Sequence, residues 1–209
     1  MGRKLLLLGG GGHCHSVLDS VISSDEYEEI GIVDSTDSSY LGVSVVGNDD
    51  DIPALIRNGW TDAFVTVGSV GDTGTRRRLY EMIKQHSLNV PTIIDPTAII
   101  GKAAEIKEGT YIGKGAVVNT GSVIGVCSII NTGAIVEHDC EIGAFSHISP
   151  GTILCGQVKV GADSHVGAGS VVKQLTEIGS NTLIGVGSVV VNNIPDNVKA
   201  YGNPCKVQA

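Results

Sequence analysis

Residues 122–136 read Ser122-Val123-Ile124-Gly125-Val126-Cys127-Ser128-Ile129-Ile130-Asn131-Thr132-Gly133-Ala134-Ile135-Val136, and within them an aliphatic residue returns at every sixth position. The beat continues in both directions without a slip. It runs from Ile100 through Ile106, Ile112, Val118, Ile124, Ile130, Val136, Ile142, Ile148, Leu154, Val160, Val166, Val172, Ile178 and Ile184 to Val190. Ile, Leu and Val make up roughly a quarter of ordinary sequence, so a series this long is not a product of chance. A second register sits two places earlier and holds small residues, among them Ala98, Thr110, Ala116, Ser122, Ser128, Ala134, Cys140, Ser146, Thr152, Ser164 and Ser170; only Val158 is larger than threonine. Positions i and i−2 share one side of an extended chain. Each hexad is therefore expected to be a short strand that turns one bulky and one small side chain inward.

Three such strands close a triangular coil of eighteen residues, and coils stack through backbone hydrogen bonds at about 4.8 Å. The hexads amount to a little over five coils, a rod about 25 Å long. A strict period of six excludes both an α-helix and a coiled coil. Glycine follows the aliphatic residue at Gly101, Gly113, Gly125, Gly143, Gly161 and Gly179, where a corner is expected to need unrestricted backbone. The pattern itself does not set the hand of the coil.

Composition agrees with a repetitive fold. Of 209 residues, 42% are hydrophobic but only 4% aromatic, and 29 are glycine. That mix suits thin layers and tight turns better than a core built on large rings. The net charge of −8 argues against a nucleic-acid partner, which needs a basic face. No stretch approaches the roughly 18 apolar residues of a membrane span. The apolar run Leu5–Leu8 passes straight into glycines and reads as a buried strand rather than an export signal. Cys14, Cys127, Cys140, Cys155 and Cys205 are odd in number with no C-x-x-C pair, which fits free thiols in a reducing cytoplasm.

Residues 1–95 follow another rule. Strands are expected at Lys4–Leu8, Ile30–Asp34, Ala63–Gly68 and Val90–Ile94, with helices at His13–Ser23, Asp51–Arg57 and Thr75–His86. Alternating strand and helix predicts a small Rossmann-like α/β domain with a parallel sheet. The organisation expected is this domain over 1–95, the solenoid over 96–192, and a cap over 193–209 that covers the open end of the last coil.

Chemistry is expected at two places. Gly9-Gly10-Gly11-Gly12-His13 lies between a strand and a helix, where backbone N–H groups and a helix N-terminus suit a phosphate. Cys14 stands where the dinucleotide fingerprint needs its third glycine, which argues against a nicotinamide cofactor. Asp34, ending the second strand, can accept from a ribose or a base; a purely structural turn is the plainer alternative. In the solenoid, His138, His147 and His165 all fall off the inward positions and should project from the rod. His138 has Glu137 and Asp139 beside it, and an imidazole oriented by a carboxylate suits a general base. Gly156 follows by eighteen residues, one coil away, where its N–H can stabilise an oxyanion. His147 and His165, also eighteen apart, should stack.

Several segments together carry a resemblance. They are the glycine run with His13, Asn131-Thr132, Val136-Glu137-His138-Asp139, Ile142-Gly143, Phe145-Ser146-His147-Ile148 and Gly202-Asn203-Pro204. Over essentially its whole length the chain resembles the bacterial sugar acetyltransferases, which include UDP-4-amino-sugar N-acetyltransferases of the bacillosamine pathway and sialic-acid O-acetyltransferase-like proteins. The resemblance implies a left-handed parallel β-helix, acetyl-CoA as acyl donor without a metal, a nucleotide-sugar acceptor and a homotrimer with the donor in the groove between subunits. It further implies His138 as proton acceptor with Asp139 as its partner and Asn131 beside the sugar. Gly11, Gly12, His13, Asp34, Ser35 and Gly68 would hold the nucleotide sugar, and His147, Ala168 and Val186 would line the donor. Departures are Asp139 where relatives carry Glu, Ser35 where a second acid is common, an additional Ser69–Gly74 stretch, and Asp95 where His is common.

Amine and hydroxyl acceptors both fit these residues, and so does a sugar-binding scaffold without catalysis. A zinc enzyme of the γ-carbonic-anhydrase kind needs an H-x4-H pair, which the solenoid lacks.

Overall fold

The computed structural model describes residues 2–208. The front unit is a five-stranded sheet of β1 (Lys4–Leu8), β2 (Glu29–Val33), β3 (Ser39–Tyr40), β4 (Val43–Gly47) and β5 (Asp62–Val65), in the order β3-β4-β2-β1-β5. All pairs are parallel except β3–β4. Its helices are α1 (Gly12–Ser24), α2 (Ile52–Arg57) and α3 (Gly74–Gln85). β1 is an interior strand between β2 and β5, and Leu5, Leu6, Leu7 and Leu8 are all buried because layers cover both sides of the sheet. Alternation sorts them. Leu5 and Leu7 pack toward α1 and the solenoid residues Ile93, Tyr111 and Ile129, whereas Leu6 and Leu8 pack toward α2 and α3.

From Ile93 onward the chain winds into a left-handed three-sided rod whose strands pair in parallel, each with the strand eighteen residues on. The inward aliphatics Ile112, Val118, Ile124, Ile130, Val136, Ile148, Leu154 and Val166 are fully buried. At roughly 1.5–3 kcal/mol for each fully buried side chain, this column is the main stabilising term of the rod. The small inward residues have a second task. Thr110, Ser122, Ser128, Ser146, Thr152, Ser164 and Ser170 each donate their hydroxyl to the carbonyl fifteen residues ahead, at the corner of the next coil. Buried corner carbonyls thereby find partners that a rod with alanine at every small position would deny them.

The three faces differ in what they turn outward. One carries Glu105, Val123, Glu141, Lys159 and Glu177 and meets solvent. A second carries only aliphatics: Ile99, Val117, Ile135, Ile153, Val171 and Val189. The third carries Ile93, Tyr111, Ile129, His147, His165 and Leu183, and the front domain docks on it. Polar anchors flank this contact. Arg77 grips Asp163 through Nε at 2.9 Å and Nη2 at 2.7 Å. Ser20 Oγ donates to Asp95 at 2.6 Å, and Lys114 reaches both Asp95 at 3.1 Å and Asp19 at 2.8 Å.

Two expectations need correction, and one element was not foreseen. Ile93–Ile94 pairs with Tyr111–Ile112 in the rod rather than closing the front sheet, so the solenoid starts ahead of residue 96. The β3–β4 hairpin goes unforeseen, since Ser39-Tyr40 is too short to show a period. The left-handed corner residue lies three places after the aliphatic, at Cys127, Gly133, Asp139, Phe145 and Gly151 among others. The glycines directly after the aliphatic serve close stacking instead: a Cβ on Gly143 or Gly161 would lie 2.4 Å from the backbone nitrogen of the next coil. His147 and His165 point out of the rod as expected, and the front domain lies over them.

Leu154→Ala should cost about 2–5 kcal/mol in denaturant unfolding, against under about 0.5 kcal/mol for Lys102→Ala on the surface. Asp95 supplies a pH test. Burial pushes its carboxyl up, but hydrogen bonds from Ser20, Thr97 and Lys114 outweigh this and hold it at about 2. A folded value below the unfolded one stabilises the fold above about pH 4 and loses that contribution as pH falls toward about 2. Asp95→Asn should therefore be less stable than the parent by about 2 kcal/mol near pH 7, with the difference closing between about pH 4 and 2.

Candidate active site

The corner between the aliphatic and charged faces carries Glu137-His138-Asp139. Asp139 adopts the left-handed conformation at φ 58°, which aspartate tolerates better than most residues. Gly121, one coil earlier, leaves room for its carboxylate, since a Cβ there would meet Asp139 Oδ1. The carboxylate turns back to His138, with Oδ2 2.9 Å from Nδ1. A carboxylate can only accept, so Nδ1 carries the hydrogen and Nε2 keeps its lone pair. Asn119 Nδ2 and the His138 N–H both donate to Glu137 Oε2, which steadies the corner. The His138 side chain is 52% exposed, and its Nε2 lies over Gly156, where a Cβ would come within 2.5 Å. Only glycine lets the ring rest there. The Gly156 N–H donates to no acceptor among the described residues.

A second feature opens at the corner between the docked and aliphatic faces. Gly12, His13, Ser16, Gly68, Ser69, Val70, Asn131, Thr132, His147 and Pro150 line a cleft of about 460 Å³ between the two domains. His147 donates from Nδ1 to the Ser69 carbonyl at 3.1 Å and accepts at Nε2 from Asn131 Nδ2 at 3.1 Å. Burial pushes His147 down to about 3, so the ring is neutral and its tautomer is set by these partners. Its stacking partner His165 meets it edge-on at 4.9 Å. Burial, then the Arg76 charge, lowers His13 to about 4, and its Nε2 has no hydrogen-bond partner. Below Thr132 and Pro150, in eighteen-residue steps along the same corner, lie half-buried Ala168 and the 77% exposed side chain of Val186.

The glycine run leads into this cleft. α1 begins at Gly12 with Gly11 as its cap, no side chain bonds its first N–H groups, and nothing lies within 4 Å of a Cβ placed on either glycine. An anion can approach that end directly. On the other side of the loop, Gly9, Asp34, Ser35, Asn48, Asp49, Val67 and Arg78 line a hollow of about 400 Å³. Asp34 spends part of its capacity on the loop, accepting from Gly10 N–H at 2.6 Å and Thr36 N–H at 2.9 Å; these bonds hold its carboxyl below the usual range.

The expected residues thus fall into three groups. Gly12, His13, Gly68, Asn131 and His147 share the cleft, with Gly11 at its mouth. Asp34 and Ser35 line the hollow behind the glycine loop. His138, Asp139 and Gly156 stand at a different corner of the rod, across the aliphatic face from Asn131. Sequence reasoning missed Ser69 and Arg76 behind the cleft, and Tyr111, whose ring meets His13 edge-on at 5.4 Å. An aromatic residue in a rod otherwise poor in aromatics is the one signal that Tyr111 offered. Among the described residues no cluster of His, Cys, Asp or Glu could hold a metal, and no helix is long and apolar enough to cross a membrane.

Comparison with known proteins agrees with both halves of the chain. Residues 4–83 match the PglD N-terminal domain, 91–126 the hexapeptide repeat of succinyl-transferase, and 139–174 the six-repeat bacterial transferase hexapeptide. No curated protein sequence matches. Among solved structures, perosamine N-acetyltransferase from Caulobacter crescentus, in complex with CoA and GDP-perosamine, is 36% identical with a TM-score of 0.93, covering 100% of this chain and 98% of that one. The acetyltransferase domain of PglB from Neisseria gonorrhoeae, in complex with acetyl coenzyme A, is 35% identical with a TM-score of 0.93 and full coverage of both chains. WeeI from Acinetobacter baumannii shares the fold at 20% identity, with a TM-score of 0.88. The chain belongs to the hexapeptide-repeat sugar N-acetyltransferases that carry a PglD-type N-terminal domain.

Proposed function

We propose that this chain transfers the acetyl group of acetyl-CoA to the amine of a nucleotide-linked 4-amino-4,6-dideoxy sugar, in a site completed by a second copy of itself. The observation that carries the reading is the placement of base and cleft on the two edges of one bare aliphatic face. Ile99 is 64% exposed on that face, with Ile153 and Val171 at 36% and 37%. The charged face of the same rod shows what a solvent-facing row looks like, and the contrast supports burial against another subunit. Three copies around an axis would close such an interface and bring the His138 corner of one subunit toward the Asn131 cleft of its neighbour. The amine acceptor follows from the relatives, one of which binds GDP-perosamine.

In this arrangement the nucleoside occupies the hollow at Asp34 and Ser35, and the diphosphate crosses Gly11 and Gly12 at the start of α1. The sugar enters the cleft at His13, Gly68 and Asn131. The donor's pantetheine runs along the corner past Ala168 and Val186, with the ring of His147 at the thioester end. Both His147 nitrogens are already engaged, so it offers the donor a ring edge and a fixed shape. The amine nitrogen attacks the thioester carbon while His138 Nε2 takes its proton, and Asp139 stabilises the imidazolium through Nδ1–H. The Gly156 N–H is the candidate donor to the oxyanion. Collapse breaks the C–S bond, and the thiolate leaves as CoA, taking up a proton. Among the five cysteines, all unpaired and four of them buried, none is needed as nucleophile, and the free thiols fit a reducing cytoplasm.

His138→Ala should lower kcat by about 10²–10⁴ in a thiol-release assay with acetyl-CoA and a panel of nucleotide-linked amino sugars, leaving the acceptor KM nearly unchanged. Unaltered turnover would remove His138 from the chemistry. A second test concerns the shared site. Co-expressed His138→Ala and Asn131→Ala chains, purified as mixed oligomers, should recover activity that neither variant has alone. Verified mixed oligomers without recovery would mean that base and cleft act within one chain.

A further inference from the structure

Arg76, on α3, is 3% exposed, yet it has no carboxylate within hydrogen-bond distance. The nearest acid, Asp163, is taken by Arg77 and by Thr73 Oγ1. Burying an unpaired guanidinium is costly, and such a charge persists only where fixed dipoles satisfy it. Arg76 finds them in main-chain carbonyls. It donates to Phe145 O at 2.9 Å and to Cys127 O, which occupy the same left-handed corner position in successive coils, at φ 60° and 53°. Its remaining contact is Ser69 Oγ, at 3.2 Å.

Ser69 joins this buried charge to the cleft. Its carbonyl accepts from His147 Nδ1, His147 Nε2 accepts from Asn131 Nδ2, and Asn131 Oδ1 is held by the Thr132 N–H at 2.8 Å. Every group in the series has one role available. A carbonyl can only accept, so His147 must carry its hydrogen on Nδ1; the bare Nε2 then turns the Asn131 amide so that its NH₂ faces the ring. The rod supplies Asn131, His147 and the two corner carbonyls, while the front domain supplies Ser69 and Arg76. Ser69 directly follows Gly68 and lines the cleft with it.

We propose that Arg76 is a positioning residue: by fixing Ser69 against two corners of the rod, it sets the tautomer of His147 and the orientation of the Asn131 amide in the acceptor cleft. The kinetic part rests on the reading that Asn131 lines the sugar site, whereas the tautomer part does not. Arg76→Lys keeps a positive charge but replaces the planar fork with a single ammonium that cannot span both corner carbonyls and Ser69.

The test compares parent, Arg76→Lys, Ser69→Ala and Arg77→Met as full-length proteins. Ser69→Ala removes only the hydroxyl contact and guards against a lysine variant that fails to fold. Arg77→Met weakens domain docking without touching Ser69. Ring ¹⁵N NMR at pH 7 should show a single Nδ1–H tautomer for His147 in the parent and in Arg77→Met, and a mixture in Arg76→Lys or, to a smaller extent, Ser69→Ala. Acceptor kcat/KM should fall by about 10- to 100-fold in Arg76→Lys and stay within twofold of the parent in Arg77→Met. An unchanged His147 tautomer in both Arg76→Lys and Ser69→Ala overturns the proposal, as does an equal kinetic loss in Arg77→Met. A parent without acetyl transfer would defeat the functional reading and still leave the tautomer result to decide the role of Arg76.

Discussion

The corners of the rod, and the face on which the front domain docks, are placed by the stacking of one eighteen-residue coil on the next. Inward aliphatics supply the cohesion, and the inward hydroxyls make it specific. From Thr110 to Ser170 seven of these hydroxyls reach the corner carbonyl fifteen residues ahead, so a coil that slipped by one residue would lose its apolar column and its hydroxyl ladder together. Corners are consequently rigid, and residues eighteen apart fall on one line. That metric puts Gly156 under His138, seats Asp139 in the space left by Gly121, and runs Thr132, Pro150, Ala168 and Val186 down one edge. A flexible loop would hold none of these to the tolerance that acyl transfer demands.

Two histidines nine residues apart show how environment divides labour on such a scaffold. His138 stands at an open corner with one carboxylate at Nδ1 and an Nε2 that no described group engages, so that nitrogen is free to meet a ligand. His147 lies under the front domain, is held neutral by burial, and has both nitrogens engaged, so it can shape a site but not titrate in it. Residue type is identical; desolvation and partners decide the role. The front domain thereby turns an outward histidine into a half-buried, fixed part of the cleft wall.

The rod was legible because a period of six leaves one physical solution, and the six-residue beat survives every substitution along it. Strands β1, β2 and β5 and the three helices were legible from ordinary apolar patterning. The β3–β4 hairpin was not, being too short and too exposed to carry a period, and Ile93–Ile94 was ascribed to the wrong sheet because a two-residue strand can join either. Glycines were read as corner residues for their torsional freedom. Their real constraint is a backbone 2.4 Å from where a Cβ would sit, which no single coil reveals. At the candidate site, residues within one hexad or one glycine run could be named as candidates from spacing and resemblance. Arg76 and Ser69 were not, since their meaning arises only when two domains with unrelated patterns come into contact.

That contact also explains why the two domains are joined in one chain. Acetyl transfer needs a sugar amine, a thioester and a base within a few tenths of an ångström of reacting geometry, yet the three binding features arise from different parts of the fold. On the proposed reading the rod positions the base and the donor path by its internal repeat, whereas the nucleotide would be held by a sheet and a helix end that share no metric with it. Apolar packing of Tyr111 and Ile129 against α1 can bring the two units together but leaves them free to slide by small amounts. Directional bonds narrow that freedom: Asp95 to Ser20 and Lys114 on one flank and Asp163 to Arg77 on the other hold the units together, while the buried Arg76 between them fixes Ser69 at the cleft. Hydrophobic burial supplies the affinity of the domains for each other. Buried polar contacts supply the registration, and for a reaction between two bound substrates registration is the scarcer quantity.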